Sequence, residues 1–257
     1  EAQREHLIEW QQRFFNYWKN RDPWKDFPTE WKAIYSHCPE YVDLKAQGKT
    51  EEEIDAILKK PAKRKIFTYD NPLQEKDTII SVYDSIRYHR MILQNGFLAV
   101  DPSSGYIRAW VGGVNYKYFQ YDHVNINTKR QIGSTFKPFV YTVAIRDKGY
   151  SPCFQVPNQP VTFEASDPRF GLLQDWTPKN SDGKYGGMLT LRKALANSIN
   201  AVTAYLMHEI GPESVVRLVH TMGVKSEIPV QPSICLGSAD ISLFEMVGAY
   251  TTYANSG

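Results

Sequence analysis

The chain has 257 residues, 42% hydrophobic and 23% charged, which is the composition of a globular protein large enough to bury a core. Thirty basic and 28 acidic residues leave a net charge of only +2, so bulk charge does not favour a nucleic-acid partner. The cysteines show no CxxC spacing, the histidines form no ligand-spaced cluster and no apolar run is as long as a membrane span, so neither a metal site nor a spanning helix is predicted.

The first 67 residues contain predicted helices but no residues with recognisable chemistry. An amphipathic helix is predicted from a spaced set of large apolar residues: Leu7, Trp10, Phe14, Phe15 and Trp18. A second, short helix is predicted over 50–60, with Thr50 as its N-cap, acidic residues in its first turn and Pro61 after its end. We interpret residues 1–67 as a linker, whose aromatic residues either dock on a neighbouring domain or form a small core of their own.

The following region changes from strand to helix patterns. Apolar runs at 97–100 and 106–111 flank a turn at 101–105 and predict an antiparallel hairpin that ends at Gly112-Gly113. Helices are then predicted from Ser134 towards Asp147, after Thr190, from Gly211-Pro212 to Gly223, and from a capping box formed by Ser242 and Glu245. A hairpin followed by a helical block indicates an α+β fold.

The candidate nucleophile is Ser134, three residues before Lys137. This spacing places the two residues on one face of a helix, where an uncharged lysine amine can take the serine proton. The positive end of the helix dipole also suits the oxyanion of an acyl-transfer intermediate. A second Ser-x-x-Lys, at 181–184, lies among Asn, Asp and Gly residues that disfavour a helix, so we interpret Ser181 as structural.

A second polar motif, Ser198-Ile199-Asn200, follows further along the chain. Its serine could pass a proton between the lysine and a leaving group, and its amide could hold the lysine and bind a peptide carbonyl. Taken alone, the triplet is equally well explained as a polar break between two helices.

Longer stretches carry a family resemblance, since Ser-x-x-Lys and a following Ser-x-Asn are hallmarks of the penicillin-binding proteins. The stretches are GFLAVDPSSGYIRAWVGG, RQIGSTFKPFVY, WTPKN, GGMLTLRKALANSINAV and LGSADISLFEMVGAYTTYANSG. The region 96–257 resembles the transpeptidase domain of class A (bifunctional, high-molecular-mass) penicillin-binding proteins, in particular those of type 1A. Trp176, Pro178 and Asn180 recur in that family's pattern, and we interpret them as structural rather than catalytic.

The resemblance implies a peptidoglycan D,D-transpeptidase. Ser134 would attack the penultimate D-Ala of a stem peptide ending in D-Ala-D-Ala, with Lys137 as base and Ser198 passing the proton to the leaving nitrogen. Asn200 would position Lys137 and bind the substrate. No cofactor or metal is implied, and β-lactam antibiotics would acylate Ser134 as substrate mimics.

The resemblance also implies an organisation. Residues 1–67 would link a glycosyltransferase domain to a transpeptidase domain at 68–257, in a parent protein anchored at the periplasmic face of the bacterial inner membrane. The family's third motif, Lys-Thr/Ser-Gly, does not occur after Asn200. We therefore expect a transpeptidase domain that lacks its C-terminal strands, and little turnover by these 257 residues alone.

Two other functions fit the same residues. One is a hydrolase of the same fold, a D,D-carboxypeptidase or β-lactamase, which needs a general base for water that the sequence does not identify. The other is a non-catalytic β-lactam sensor or scaffold that retains an acylatable serine.

Overall fold

The computed structural model describes residues 28–256. The amphipathic helix predicted around Leu7–Trp18 lies outside these residues. The chain divides into two compact units, the first ending at Gln94 and the second beginning at Asn95. The predicted domain division after residue 67 stays a prediction about the longer protein.

In its described part, residues 28–94, the first unit combines four short helices with one hairpin. The helices are α1 (Pro28–Tyr35), α2 (Pro39–Ala46), α3 (Glu51–Leu58) and α4 (Val82–Arg90), and strands β1 (Ala62–Phe67) and β2 (Glu75–Ile80) pair antiparallel. The predicted start of α3 is confirmed, because Thr50 and Glu53 form a reciprocal capping box. A small apolar cluster that includes Ile54, Leu58 and Tyr83 packs the helices of this unit together.

The second unit begins with the predicted hairpin, β3 (Phe97–Val100) and β4 (Ile107–Val111). Its five α-helices are α5 (Lys137–Lys148), α6 (Leu191–Ala196), α7 (Asn200–Ile210), α8 (Pro212–Thr221) and α9 (Leu243–Ala254). The predicted helices are confirmed, including the stop of α5 at a left-handed Gly149 and the Ser242–Glu245 capping box of α9. Helices mixed with short antiparallel strands confirm the α+β fold.

Four three-residue strands were not predicted. They are β5 (Lys129–Gln131), β6 (Gln155–Pro157), β7 (Met188–Thr190) and β8 (Asp240–Ser242), and they pair as β5–β8 and β6–β7. The core lies around α5, whose residues Phe139, Val140, Val143 and Ala144 are fully buried. Only the last turn of α5, residues 145–148, is exposed, so the buried first part of the helix fixes the residues at its start.

Two glycines join the segment before α5 to the segment before α9. The Gly133 N–H donates to the Gly237 carbonyl at 3.0 Å, and the Ile132 N–H donates to the Ala239 carbonyl at 3.2 Å. Both glycines have positive φ, +56° and +78°, and a Cβ on Gly237 would overlap the Gly133 carbonyl. This contact continues the β5–β8 ladder up to the turn that carries Ser134.

Candidate active site

Ser134 lies on a 3₁₀ helix, Gly133–Phe136, between β5 and α5. The turn is held by the Thr135 hydroxyl, which donates to the Ile132 carbonyl at 2.7 Å, and by the Tyr250 hydroxyl, which donates to the Thr135 carbonyl at 2.6 Å. Lys137 follows this turn as the first residue of α5, and residues three apart lie on nearly the same side of such a turn. Ser134 is exposed, as an attacking group must be.

Lys137 is buried, with only 1% of its surface exposed. Its Nζ donates three hydrogen bonds, to the Ser198 carbonyl at 2.7 Å, the Ser198 Oγ at 3.0 Å and the Asn200 Oδ1 at 2.6 Å. An ammonium has three N–H donors, so the three acceptors saturate the charged form. The amine must lose a proton before it can accept one from a serine.

Burial lowers the pKa of Lys137 from its ordinary value to about 8. The buried thiol of Cys235 lies close enough to interact electrostatically with the ammonium, and burial raises the pKa of that thiol to about 12. Cys235 is therefore neutral near pH 7 and adds no negative charge beside the lysine. The lysine is poised to titrate near neutral pH, where a general base is most useful.

Ser198 lies between α6 and α7 in a left-handed conformation, with φ of +54°. Two hydrogen bonds close the end of α6, from the Ser198 N–H to Leu195 O at 3.0 Å and from the Ile199 N–H to Ala194 O at 2.9 Å. This pair is a Schellman motif, whose left-handed position normally holds glycine. A serine there costs conformational energy, and the same bend directs both its carbonyl and its hydroxyl to Lys137.

Asn200 is the first residue of α7 and is held on both sides of its amide. Its Oδ1 accepts from Lys137, and its Nδ2 donates to the Lys179 carbonyl at 2.8 Å. These two contacts define which end of the amide faces the lysine. Lys179 belongs to the Trp-Thr-Pro-Lys-Asn stretch, so this loop takes part in the site through its backbone.

Three of the four predicted site residues are in hydrogen-bond contact: Lys137, Ser198 and Asn200. The Ser134 hydroxyl makes no hydrogen bond to any of the described residues, 28–256. The motifs did not identify the contribution of Asn180, which is buried, pairs with Asn158 and accepts from the N–H of Ala201, the residue after Asn200. The recurrence of Trp-Thr-Pro-Lys-Asn was the signal that could have found Asn180.

Two protein-family models match the chain, and the boundary between their matches falls where the two compact units meet in the sequence. A model described as the penicillin-binding protein middle domain matches residues 18–93. A model described as the penicillin-binding protein transpeptidase domain matches residues 95–257, which is more than half of the chain. The chain belongs to the penicillin-binding protein transpeptidase family. The family resemblance read from the motifs is confirmed.

Relatives of this transpeptidase family include penicillin-binding protein 1A of Neisseria lactamica, 35% identical over 65% of the chain and 20% of the relative. Penicillin-binding protein 1A of Pseudomonas aeruginosa is 33% identical over 64% of the chain and 19% of the relative. The chain thus spans about a fifth of the length of these curated relatives.

Two solved structures share the transpeptidase fold. Penicillin-binding protein 1A from Haemophilus influenzae matches with a TM-score of 0.57 and 26% identity, over 63% of this chain and 23% of that one. Penicillin-binding protein PonA1 from Mycobacterium tuberculosis matches with a TM-score of 0.53 and 25% identity, over 64% of this chain and 44% of that one.

Proposed function

We propose that the protein containing this chain is a peptidoglycan D,D-transpeptidase that works through an acyl-enzyme on Ser134. The observation that carries the proposal is the buried Lys137, with its lowered pKa, bonded to Ser198 and Asn200 one turn after an exposed serine. This is the arrangement that a serine nucleophile needs, a nearby base and a route for the proton.

In the proposed acylation, the Ser134 Oγ forms a bond to the carbonyl carbon of the penultimate D-Ala while its proton moves to the unprotonated Lys137 Nζ. The Ser198 hydroxyl, 3.0 Å from Nζ, then gives its proton to the nitrogen of the terminal D-Ala and is reprotonated by Lys137. The peptide C–N bond breaks, D-Ala leaves as an amine and the stem peptide remains as an ester on Ser134.

The second half reverses these proton transfers. An amine of a neighbouring stem peptide attacks the ester, Lys137 and Ser198 accept its proton, and Ser134 regains its hydrogen as the new amide forms. A β-lactam would open on Ser134 in the same way. Its leaving nitrogen stays attached to the acyl group, so it would block the site.

A transferase is favoured over a hydrolase by the absence of a suitable carboxylate. In the part of the chain that the structure describes, no Asp or Glu is hydrogen-bonded to Lys137, Ser198 or Asn200. A hydrolase of this kind needs a base that activates water for deacylation. A β-lactam sensor would differ from the transferase only because its acylated serine does not pass the acyl group on.

The proposal extends to the longer protein. Residues before 68 would connect a glycosyltransferase domain to the transpeptidase domain, and the transpeptidase would act at the periplasmic face of the inner membrane on stem peptides ending in D-Ala-D-Ala. Among the described residues, no helix is long and apolar enough to cross a bilayer.

The test is the intact mass of the protein after incubation with a labelled penicillin, with Ser134→Ala as the matched variant. One adduct on the parent and none on Ser134→Ala is the expected result. A parent chain without adduct is tested again as a longer version that includes the Lys-Thr/Ser-Gly motif. No adduct on either length contradicts the acyl-enzyme. With a stem peptide ending in D-Ala-D-Ala, release of the terminal D-Ala together with transfer of the acyl group to an added amine distinguishes the transferase from a sensor. Transfer of the acyl group to water identifies a hydrolase.

A further inference from the structure

Helix α7 begins at Asn200 without a cap of its own. The residue at its N-cap position is Ile199, whose side chain cannot accept a hydrogen bond. The N–H of Ala201, in the first turn, instead donates to the Oδ1 of Asn180 at 2.9 Å. A side chain from the Trp-Thr-Pro-Lys-Asn loop therefore caps the helix that carries Asn200.

Asn180 cannot turn its amide round. Its Nδ2 donates to the Asn158 Oδ1 at 2.9 Å and to the Lys184 carbonyl at 2.7 Å, and only 6% of its surface is exposed. A carbonyl accepts only from the nitrogen end of an amide, so the oxygen end must face the Ala201 N–H. Its backbone N–H donates to the Tyr185 hydroxyl at 3.2 Å, so hydrogen bonds hold both the side chain and the backbone of Asn180.

Lys179, the residue before Asn180, connects this network to the candidate base, Lys137. The Lys179 carbonyl, one position before Asn180, accepts from the Asn200 Nδ2 at 2.8 Å. With Nδ2 engaged, Asn200 presents Oδ1 to the Lys137 Nζ at 2.6 Å. If the amide of Asn200 were reversed, it would point N–H groups at the ammonium and lose this bond.

We propose that Asn180 is a positioning residue, which holds α7 and the Lys179 carbonyl so that Asn200 keeps its acceptor oxygen on Lys137. This proposal rests on the proposed function, since it assigns Asn180 a role in acylation of Ser134. Among the described residues, Asn180 makes no hydrogen bond to Ser134, Lys137 or Ser198. Its effect passes through Asn200.

The experiment compares Asn180→Ala with Asn158→Ala. Both residues are buried in one hydrogen-bonded pair, but of the two only Asn180 is hydrogen-bonded to the helix that carries Asn200. Two quantities are measured on the full chain: the limiting rate of acylation by a labelled penicillin at high pH, and the pKa of Lys137 from an NMR titration of its labelled side chain.

For Asn180→Ala we expect the limiting rate to fall by about tenfold or more, because small displacements of catalytic groups have large effects on rate. The pKa of Lys137 should fall as well, because the ammonium loses an acceptor. For Asn158→Ala we expect a lower Tm, with the rate within about threefold of the parent and the pKa of Lys137 unchanged. Equal effects of the two variants, or an unchanged rate and pKa in Asn180→Ala, would overturn the proposal.

Asn180→Asp serves if the alanine variant does not fold. Because its buried carboxyl group faces the Asn158 Oδ1 and the Lys184 carbonyl, we expect it to keep its proton, donate to one of these oxygens and still accept from the Ala201 N–H, so the limiting rate should be retained. Loss of the limiting rate there contradicts the positioning role. A protein that is acylated neither as this chain nor in the longer version overturns the proposed function instead, and the NMR titration still decides whether Asn180 sets the environment of Lys137.

Discussion

Replacement of Ser198 by Gly and by Ala separates its backbone strain from its hydroxyl. Both variants lose the Oγ that lies 3.0 Å from Lys137, and both keep the carbonyl that lies 2.7 Å away. They differ only in how readily the residue adopts a φ of +54°. Glycine adopts this conformation freely, whereas alanine has a Cβ that crowds the following carbonyl.

The size of the difference follows from two opposing effects. A residue with a Cβ costs about 1–2 kcal/mol in the left-handed region. Glycine loses about 0.5–1 kcal/mol more than alanine in conformational entropy on folding. We therefore expect Ser198→Gly to be more stable than Ser198→Ala by about 0.5–1 kcal/mol, which corresponds to a Tm about 2 °C higher in a unit of this size.

The assay combines thermal unfolding with acylation by a labelled penicillin. Both variants should be acylated more slowly than the parent and at similar rates, because both lack the hydroxyl that passes the proton. An alanine variant as stable as the glycine variant would refute the strain at residue 198. Acylation that is slow in only one of them would refute the assignment of the rate effect to the hydroxyl.

Three further predictions concern pH and packing. Acylation should rise with pH to half its maximum near pH 8, because Lys137 acts as a base only after losing its proton, and a rate flat across about pH 6 to 10 would contradict this. Burial alone would raise the pKa of Glu245, but hydrogen bonds from side chains and backbone lower it from 4.5 to about 2, so Glu245→Gln should lose about 3 kcal/mol near neutral pH. This contribution is present above about pH 4.5 and is lost as pH falls towards 2. The free energy of unfolding, measured with urea across that range, should therefore fall more steeply with decreasing pH in the parent than in Glu245→Gln. Parallel pH dependences of the two proteins would contradict this. Gly237→Ala should lose about 3 kcal/mol or more and most acylation, because its methyl group overlaps the Gly133 carbonyl. Gly248→Ala, on an open helix face, is the control and should not be destabilised, so equal unfolding curves for the two alanine variants would count against the packing argument.

The helix boundaries could be predicted because their signals are local. Thr50 and Ser242 cap helices through residues three positions later, and Gly149 ends α5 through its own left-handed backbone. The strands β5 and β8 could not be predicted, since three residues are too few to establish a period of two. Their partners are also far apart in the chain, and no local pattern records such pairing.

The site could be predicted as residue types but not as geometry. Lys137, Ser198 and Asn200 were named from motifs, and the structure places them in contact. The left-handed conformation of Ser198 was not predictable, because the residue type favours other conformations and only the surrounding helices impose this one. The cap from Asn180 was missed for a similar reason, since sequence rules look for a cap beside the helix and this one comes from a distant loop.

The contact between Gly133 and Gly237 also sets an order of events during synthesis. The turn that carries Ser134 is held by a segment made roughly a hundred residues later, a separation typical of slow, non-local steps in folding. A growing chain that has emerged as far as Asn200 but not yet as far as Gly237 therefore contains all four candidate site residues without the support for the nucleophile turn. The ability to react with a β-lactam should be acquired late and abruptly, once the strand β8 has emerged and paired with β5.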